Sequence, residues 1–416
     1  NKDIARLLIQ HGANVYAQDK LKWTPLHVTA IHGKYDVADI LIQNGTHIDA
    51  RDTLKCTPLH YTAINGHKDV AELLIQHQAK VNAEEINKWT PLHSTGKFGH
   101  RDVAELLILN GANISAEESI DQWTPLHLAV QNGNKHVVDL FIQKSANVNA
   151  IDKDEQTPLH LAAKKGETII GELLIEHGAN VDAENIQKRT PLHFATEKGN
   201  KNVVDLLIQN GANVSAETTD KWTPLHIAAK FGSKDVANLL IKQKTDINAE
   251  NIDKWTPLHI TAKFGNKDMA ELLIQSGANI EAEDKNQWTP LHVAAKNGFN
   301  DIAELLIEEH TANINAKTKD DQRTALHIAS QFGKESMVKL LIWHNVDVNA
   351  KDVNEQTPLY LALQNGNVEV IKLLLKNGAY KNIKDKDEKS PEGIATRLGN
   401  PRIVNLFKEF GLLWSY

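Results

Sequence analysis

The chain has 416 residues, a formal net charge of -7 and one cysteine, Cys56. The acidic balance argues against nucleic acid as a partner, the lone thiol excludes an internal disulfide, and no apolar run is long enough for direct membrane insertion. A globular chain of this length would split into two or three domains, whereas a periodic one forms a single elongated array in which each unit packs only on its neighbours.

The chain is periodic. It opens in the middle of a unit: residues 1–10 match the second half of a later one (NKDMAELLIQ at 266–275), so residues 1–19 read as a partial first repeat and the chain as a piece of a longer array. The quartet TPLH then starts at Thr24 and recurs at Thr57, Thr90, Thr124, Thr157, Thr190, Thr223, Thr256 and Thr289. It weakens to TALH at Thr324, TPLY at Thr357 and SPEG at Ser390. Successive starts lie 33 residues apart, except for 34 before Thr124 and 35 before Thr324. A fixed period in this range is the mark of a solenoid.

Each unit follows one grammar. Thr offers its hydroxyl to the unpaired amides of a helix start, and Pro suits the first helical position because it has no amide to satisfy. Helix one in TPLHIAAKFG therefore starts at Thr223-Pro224 and ends at Gly232, where a left-handed backbone costs little. Helix two, KDVANLLIKQ from Lys234, carries an acid in its first turn, as do the units with Asp36, Asp69, Asp102, Asp268 and Asp301, which suits the helix dipole. An extended hairpin then leads to the next quartet. Residues 20–389 thus hold eleven full repeats and 390–416 a degenerate last one. One extra residue near 117–121 and two between Glu308 and Asp321 are expected in loops. The apolar tail (Phe407, Phe410, Leu412, Leu413, Trp414, Tyr416) either folds back over the last core face or docks a partner.

The quartet, a Gly nine residues after its Thr (Gly33, Gly66, Gly99, Gly133, Gly166) and a GANV-type close at 206–214 and 272–280 recur in step. In these features the chain resembles the ankyrin-repeat family over essentially its whole length. The resemblance implies an all-α solenoid of helix-turn-helix units with projecting β-hairpin fingers, no cofactor, no enzymatic activity and a protein as partner. The family usually carries Gly two residues before the quartet Thr. Here that position holds Lys22, Lys55, Lys88, Gln122, Glu155, Lys188, Lys221, Lys254, Gln287, Gln322 and Glu355, so an altered turn is expected.

Ten of the 20 histidines close a quartet: His27, His60, His93, His127, His160, His193, His226, His259, His292 and His327. The resemblance implies that they hydrogen-bond within and between repeats. Stacked units sit roughly 8–10 Å apart, too far for neighbouring imidazoles to share a metal. There is no GxSxG, phosphate-cradling Gly loop, HExxH or CxxC. Cys56, just before Thr57, is expected to be an exposed loop thiol.

That same position holds Trp23, Trp89, Trp123, Trp222, Trp255 and Trp288. The resemblance places it on the concave, finger-lined side, together with the residues just before the helix-one Gly: Lys97-Phe98, Lys230-Phe231, Lys263-Phe264, Lys296 and Phe332. These fourteen residues are the candidate partner-binding set. Two readings stand side by side. The indoles either pack on the next finger or anchor a partner, and the lysines are either solvated or favour a partner with acidic and apolar surface. The expected function is a non-enzymatic, cytoplasmic protein-binding scaffold. Its near-identical Trp- and Lys-rich repeats look like those of intracellular-bacterial effectors or arthropod ankyrin-rich toxins, which implies a host protein as target in host cytoplasm or nucleus. The alternatives are a targeting arm of a larger enzyme or toxin, or a cytoskeletal or membrane adaptor.

Overall fold

Thr256 shows how one quartet becomes a helix. In this computed structural model, which describes residues 2–412 (411 and 412 by backbone alone), Thr256 is extended (φ -89°, ψ 166°) and Pro257 opens the helix Pro257–Phe264. The Thr256 amide, left without a helical partner, donates to Nδ1 of His259 at 3.2 Å, so the quartet closes its own helix start. The helix stops at Gly265 (φ 77°), where a side chain would be strained and its Cβ would meet the Phe299 ring at 2.4 Å.

Helix two of the same repeat, Lys267–Gln275, has no side-chain cap of its own. The preceding Asn266 instead sends its amide back to the carbonyls of Ala229 and Lys230, 2.7 and 3.1 Å away in the previous repeat. His67 and His100 do the same with Nε2, reaching Ile31 and Ile64 at 3.0 and 2.9 Å. Where this position holds His or Asn, as at His67, His100, Asn134, Asn200, Asn266 and Asn367, one polar side chain thus ties consecutive repeats together at their helix ends.

Among the described residues the regular structure is all helical, 25 α-helices and one short π-helix, and none is long and apolar enough to cross a membrane. The chain divides into two compact units at Asn213/Val214, each built from the same helix pair. The quartet Leu is sealed in every repeat, as at Leu26, Leu159 and Leu258, and helix two adds Val, Ala and Leu from its inner face. Burying such a side chain is worth about 1.5–3 kcal/mol, so the core is a sum of small, nearly equal local terms.

The fingers keep the family's turn without its glycine. In the first, the Asp19 amide donates to the Trp23 carbonyl (3.1 Å) and the Lys22 amide to the Asp19 carbonyl (3.0 Å), while Asp19 Oδ1 accepts from the amides of Leu21 and Trp23, both at 2.8 Å. This is a three-residue hairpin loop ending in a left-handed residue. That residue is Lys22 at φ 62°, and all eleven non-glycine positions from Lys22 to Glu355 sit between 54° and 63°. The expected altered turn is corrected: the Asp, Glu, Asn or Thr at the finger base holds a left-handed residue at the position a glycine would suit, and the strain of a Cβ in this region is tolerated. Within each unit a finger also bonds to the one before it through a single backbone contact, as Ile86 N to Leu54 O (2.9 Å) or Lys285 N to Asp253 O (3.1 Å), too sparsely to make strands.

The insertions are divided between finger and helix. The first lengthens a fingertip, so Glu118 N pairs with Trp123 O five residues on, where a finger without an insertion spans four. Of the two residues before Thr324, one lengthens the fingertip between Thr318 and Arg323, and the other widens helix two into the π-helix Leu305–Glu309. There Ala312 N reaches Leu306 O, six residues back, where Ala278 reaches Leu273, five back. One insertion expected in a loop thus lies in a helix. At the far end Phe407 is buried and Phe410 packs against the core, as the folded-back alternative requires. The side chains of Leu412, Leu413, Trp414 and Tyr416 lie outside the described residues.

Candidate partner-binding groove

Both nitrogens of the quartet imidazole are used. Nδ1 of His259 accepts from its own repeat, and Nε2 donates to the carbonyl of Trp288 in the next at 2.9 Å. His226 bonds Trp255 O in the same way. Burial is the main cause that pushes these rings down from 6.5, to about 4 at His226 and His292, with the carbonyl bond acting in the opposite direction. A neutral ring with no free nitrogen is neither a metal ligand nor a general base. Among the described residues no group of three His, Cys, Asp or Glu side chains could hold a metal ion.

That bond fixes the backbone of the residue before most of the quartet threonines, and so the place of the indole at Trp89, Trp123, Trp255 and Trp288. All six tryptophans at this position are half-buried. Trp23, Trp123 and Trp255 each donate Nε1 to the carboxylate at the base of the following finger: Asp52 and Asp152 at 3.2 Å, Asp284 at 3.0 Å. The same carboxylates accept backbone amides, as Asp284 does from Asn286 and Trp288 at 2.7 and 2.9 Å. These three indoles therefore brace the next finger with an edge, and that of Trp255 leaves a ring face toward helix one. Its two roles, structural brace and accessible surface, belong to different parts of the same ring.

Lysine covers that face in some repeats. Lys97 Nζ lies 5.1 Å from the Trp89 ring centre, Lys263 5.0 Å from Trp255, Lys296 5.4 Å from Trp288 and Lys230 5.8 Å from Trp222. Phenylalanines complete the clusters: Lys97 also faces Phe98, Lys230 faces Phe231 and Phe264, Lys263 faces Phe264, and Lys296 faces Phe332. Among the described residues none of these four ammonium groups has a carboxylate within ion-pair distance. Each of the four phenylalanines is 42–50 % exposed.

The candidate set separates accordingly. Nine members (Trp222, Lys230, Phe231, Trp255, Lys263, Phe264, Trp288, Lys296, Phe332) form one row in the second unit, and five of them, Trp222, Trp255, Lys263, Trp288 and Lys296, line an open groove of about 640 Å³. Trp89, Lys97 and Phe98 make an isolated cluster in the first unit. Trp23 stands apart with its edge on Tyr61 (5.6 Å between centres), and Trp123 has no lysine over it.

Three features went unread in the sequence. The acid, Asn or Thr five residues before most quartets is the base of each finger. Arg189, in a tryptophan's place, stacks 4.1 Å above Phe194 and pairs with Glu197. Tyr61 donates to Asp52 at 2.6 Å. The recurrence of the first was a visible signal; the other two depend on contacts between repeats. Cys56 is corrected: it is buried, its amide donates to Asp52 Oδ1 at 2.8 Å, and its thiol is pushed up to about 12, first by burial and then by Asp52.

Helix pairs stacked by one-per-repeat hydrogen bonds, with a side-chain row open to solvent, define a repeat protein of the interaction-scaffold class. A family model described as "Ankyrin repeats (3 copies)" matches residues 1–52, 48–118, 97–185, 173–251, 243–318 and 312–385, and the chain belongs to the ankyrin-repeat family, whose members are typically non-catalytic binders of other proteins. No curated protein matches it. Among solved structures it is similar to the ankyrin repeat domain of human ASB11, with 26 % identity and a TM-score of 0.50 over 54 % of this chain and 99 % of that one.

Proposed function

We propose that the second unit holds a partner protein in the row from Trp222 to Phe332, acting as a non-enzymatic scaffold whose partner presents acidic and apolar groups together. One observation carries this reading: three consecutive repeats each place an unpaired lysine over a half-buried indole, with half-exposed phenyl rings alongside. A half-buried ring, Trp255 being held also by its edge on Asp284, loses little freedom when its face is covered, so burial there converts efficiently into affinity. An ammonium without a carboxylate attracts an acidic partner and fixes its register. The isolated Trp89 cluster is a weaker, secondary contact in this reading.

The test is photocrosslinking with the full chain carrying a photoreactive side chain at Phe264 or, as control, at Leu109, which is 69 % exposed on helix two of the first unit. Phe264 is expected to yield a discrete crosslinked protein that Leu109 does not, and Trp255→Ala with Trp288→Ala should abolish it. Identical products from both positions, or products insensitive to the double variant, would remove the groove from this role.

A further inference from the structure

This inference rests on the groove reading above and specifies what fills it. The row in the second unit repeats three times with one ammonium and one indole per repeat, so an occupant must repeat with it. Stacked helices sit roughly 8–10 Å apart, which sets the spacing between successive lysines. A β-strand cannot match this spacing, because it turns residues i and i+3 to opposite faces. A polyproline II segment can: it has three residues per turn and rises about 3.1 Å per residue, so the same face returns about every 9 Å.

The chemistry points the same way. Polyproline II segments dock on rows of aromatic side chains, and their backbone is already extended before binding, which lowers the ordering cost. Trp222, Trp255 and Trp288 offer such a row, each indole 5.8–6.1 Å from the imidazole behind it. Two of the acids lining the groove are already engaged: Asp253 pairs with Lys285 at 3.4 Å, and Asp284 is buried beneath Trp255. Lys230, Lys263 and Lys296 are then the helix-one charges of this row, none of them with a carboxylate within ion-pair distance among the described residues.

We infer that the groove takes an extended, proline-bearing acidic segment of its partner, with a carboxylate at every third residue (i, i+3, i+6) placed on Lys230, Lys263 and Lys296 in turn. Proline and apolar residues between the acids lie on the indole and phenyl faces.

The test uses dye-labelled synthetic peptides and the full chain, read by fluorescence anisotropy at low and physiological salt. One peptide is Glu-Pro-Leu repeated three times. The second has the same composition with its three Glu adjacent, and the third is helical with Glu at i, i+7 and i+14. The in-register peptide is expected to bind about tenfold or more tightly than the second, and to lose about tenfold on Lys230→Glu, Lys263→Glu and Lys296→Glu combined. The triple Lys→Arg variant should restore most of the affinity, and Lys164→Glu with Lys165→Glu in the first unit should leave it unchanged. Melting curves of each variant separate lost binding from lost folding. Equal binding of the first two peptides, tighter binding of the helical one, or indifference to the triple reversal overturns the inference. If that happens while crosslinking at Phe264 still depends on Trp255 and Trp288, the groove stands and only its occupant was misread; if both fail, the groove reading falls as well.

Discussion

The two units carry the same ingredients in different phase. Before the quartet Thr the first unit has Trp23, Cys56, Trp89, Trp123, Gln156 and Arg189, and the second has Trp222, Trp255, Trp288, Arg323, Gln356 and Lys389. Each has three tryptophans at this position. Helix one supplies Lys97 and Lys164 in the first unit, but only Lys97 shares a repeat with a tryptophan, since Lys164 faces the repeat of Gln156. In the second unit Lys230, Lys263 and Lys296 coincide with Trp222, Trp255 and Trp288 in three consecutive repeats. Arg189 ends the first row by satisfying itself on Phe194 and Glu197. A usable surface on a repeat protein therefore depends on coincidence within a repeat and adjacency between repeats, more than on how many aromatic or basic residues the chain contains.

The largest predicted effect is one the two units should share, and a difference there would break the comparison. Burial pushes the quartet histidines below 6.5, to about 4 at His60, His93 and His160 in the first unit and His226, His292 and His327 in the second. The unfolded chain therefore binds protons first. The stability contributed by the neutral rings is complete above pH 6.5 and is lost as pH falls through that value toward about 4. Each such ring adds a slope of about 1.4 kcal/mol per pH unit in that window. Urea unfolding followed by hydrogen exchange at pH 7.5 and 5.0 should show a loss of several kcal/mol in both units. Stability that is flat between these values would contradict the buried neutral rings.

A smaller effect sharpens the contrast. Asp152→Ala and Asp284→Ala each leave two finger amides and an indole N–H without their acceptor, at a cost of about 1–3 kcal/mol in either unit. Only Asp284→Ala, by releasing Trp255, should also weaken the peptide titration. Equal losses of binding from the two would mean that the row in the second unit is not special.

The repeating parts of this fold were legible because a periodic sequence states each local rule many times over. Thr-Pro, the helix-ending Gly and the quartet Leu fall where spacing and elementary stereochemistry put them. The finger was read less well. Without its glycine Lys254 suggested another turn, yet the side chain of Asn251, accepting the amides of Asp253 and Trp255 at 2.9 Å each, imposes the usual one. Cys56 was misread because its burial comes from packing between repeats, invisible in the local sequence. The tryptophans were found from their position, but the half that braces and the half that stays open could be told apart only from Asp284 on one side and Lys263 on the other.

The left-handed finger residues offer a change of about 0.5–1 kcal/mol. A side chain at positive φ costs about 1–2 kcal/mol, partly offset by the extra freedom that glycine brings to the unfolded chain. Lys55→Gly (φ 63°) and Lys254→Gly (φ 60°) should therefore each stabilise their own unit, seen as a higher urea midpoint with unchanged slope. Destabilisation by either would mean that the lysine side chain contributes a contact that outweighs its strain.

The smallest effect bears most directly on the difference between the rows. A double-mutant cycle between Lys263→Ala and Trp255→Leu should give a coupling of about 0.5 kcal/mol, the usual size for an ammonium over an indole at an exposed site. The matching cycle between Lys164→Ala and Gln156→Leu in the first unit should give none, because no ring lies under that lysine. A coupling much above 1 kcal/mol would mean that the indole holds Lys263 too tightly to meet a carboxylate. A coupling of zero would mean that the lysine is not positioned at all. Between these limits the ring orders the side chain without neutralising it, so the charge stays available at a defined place in each of three successive repeats.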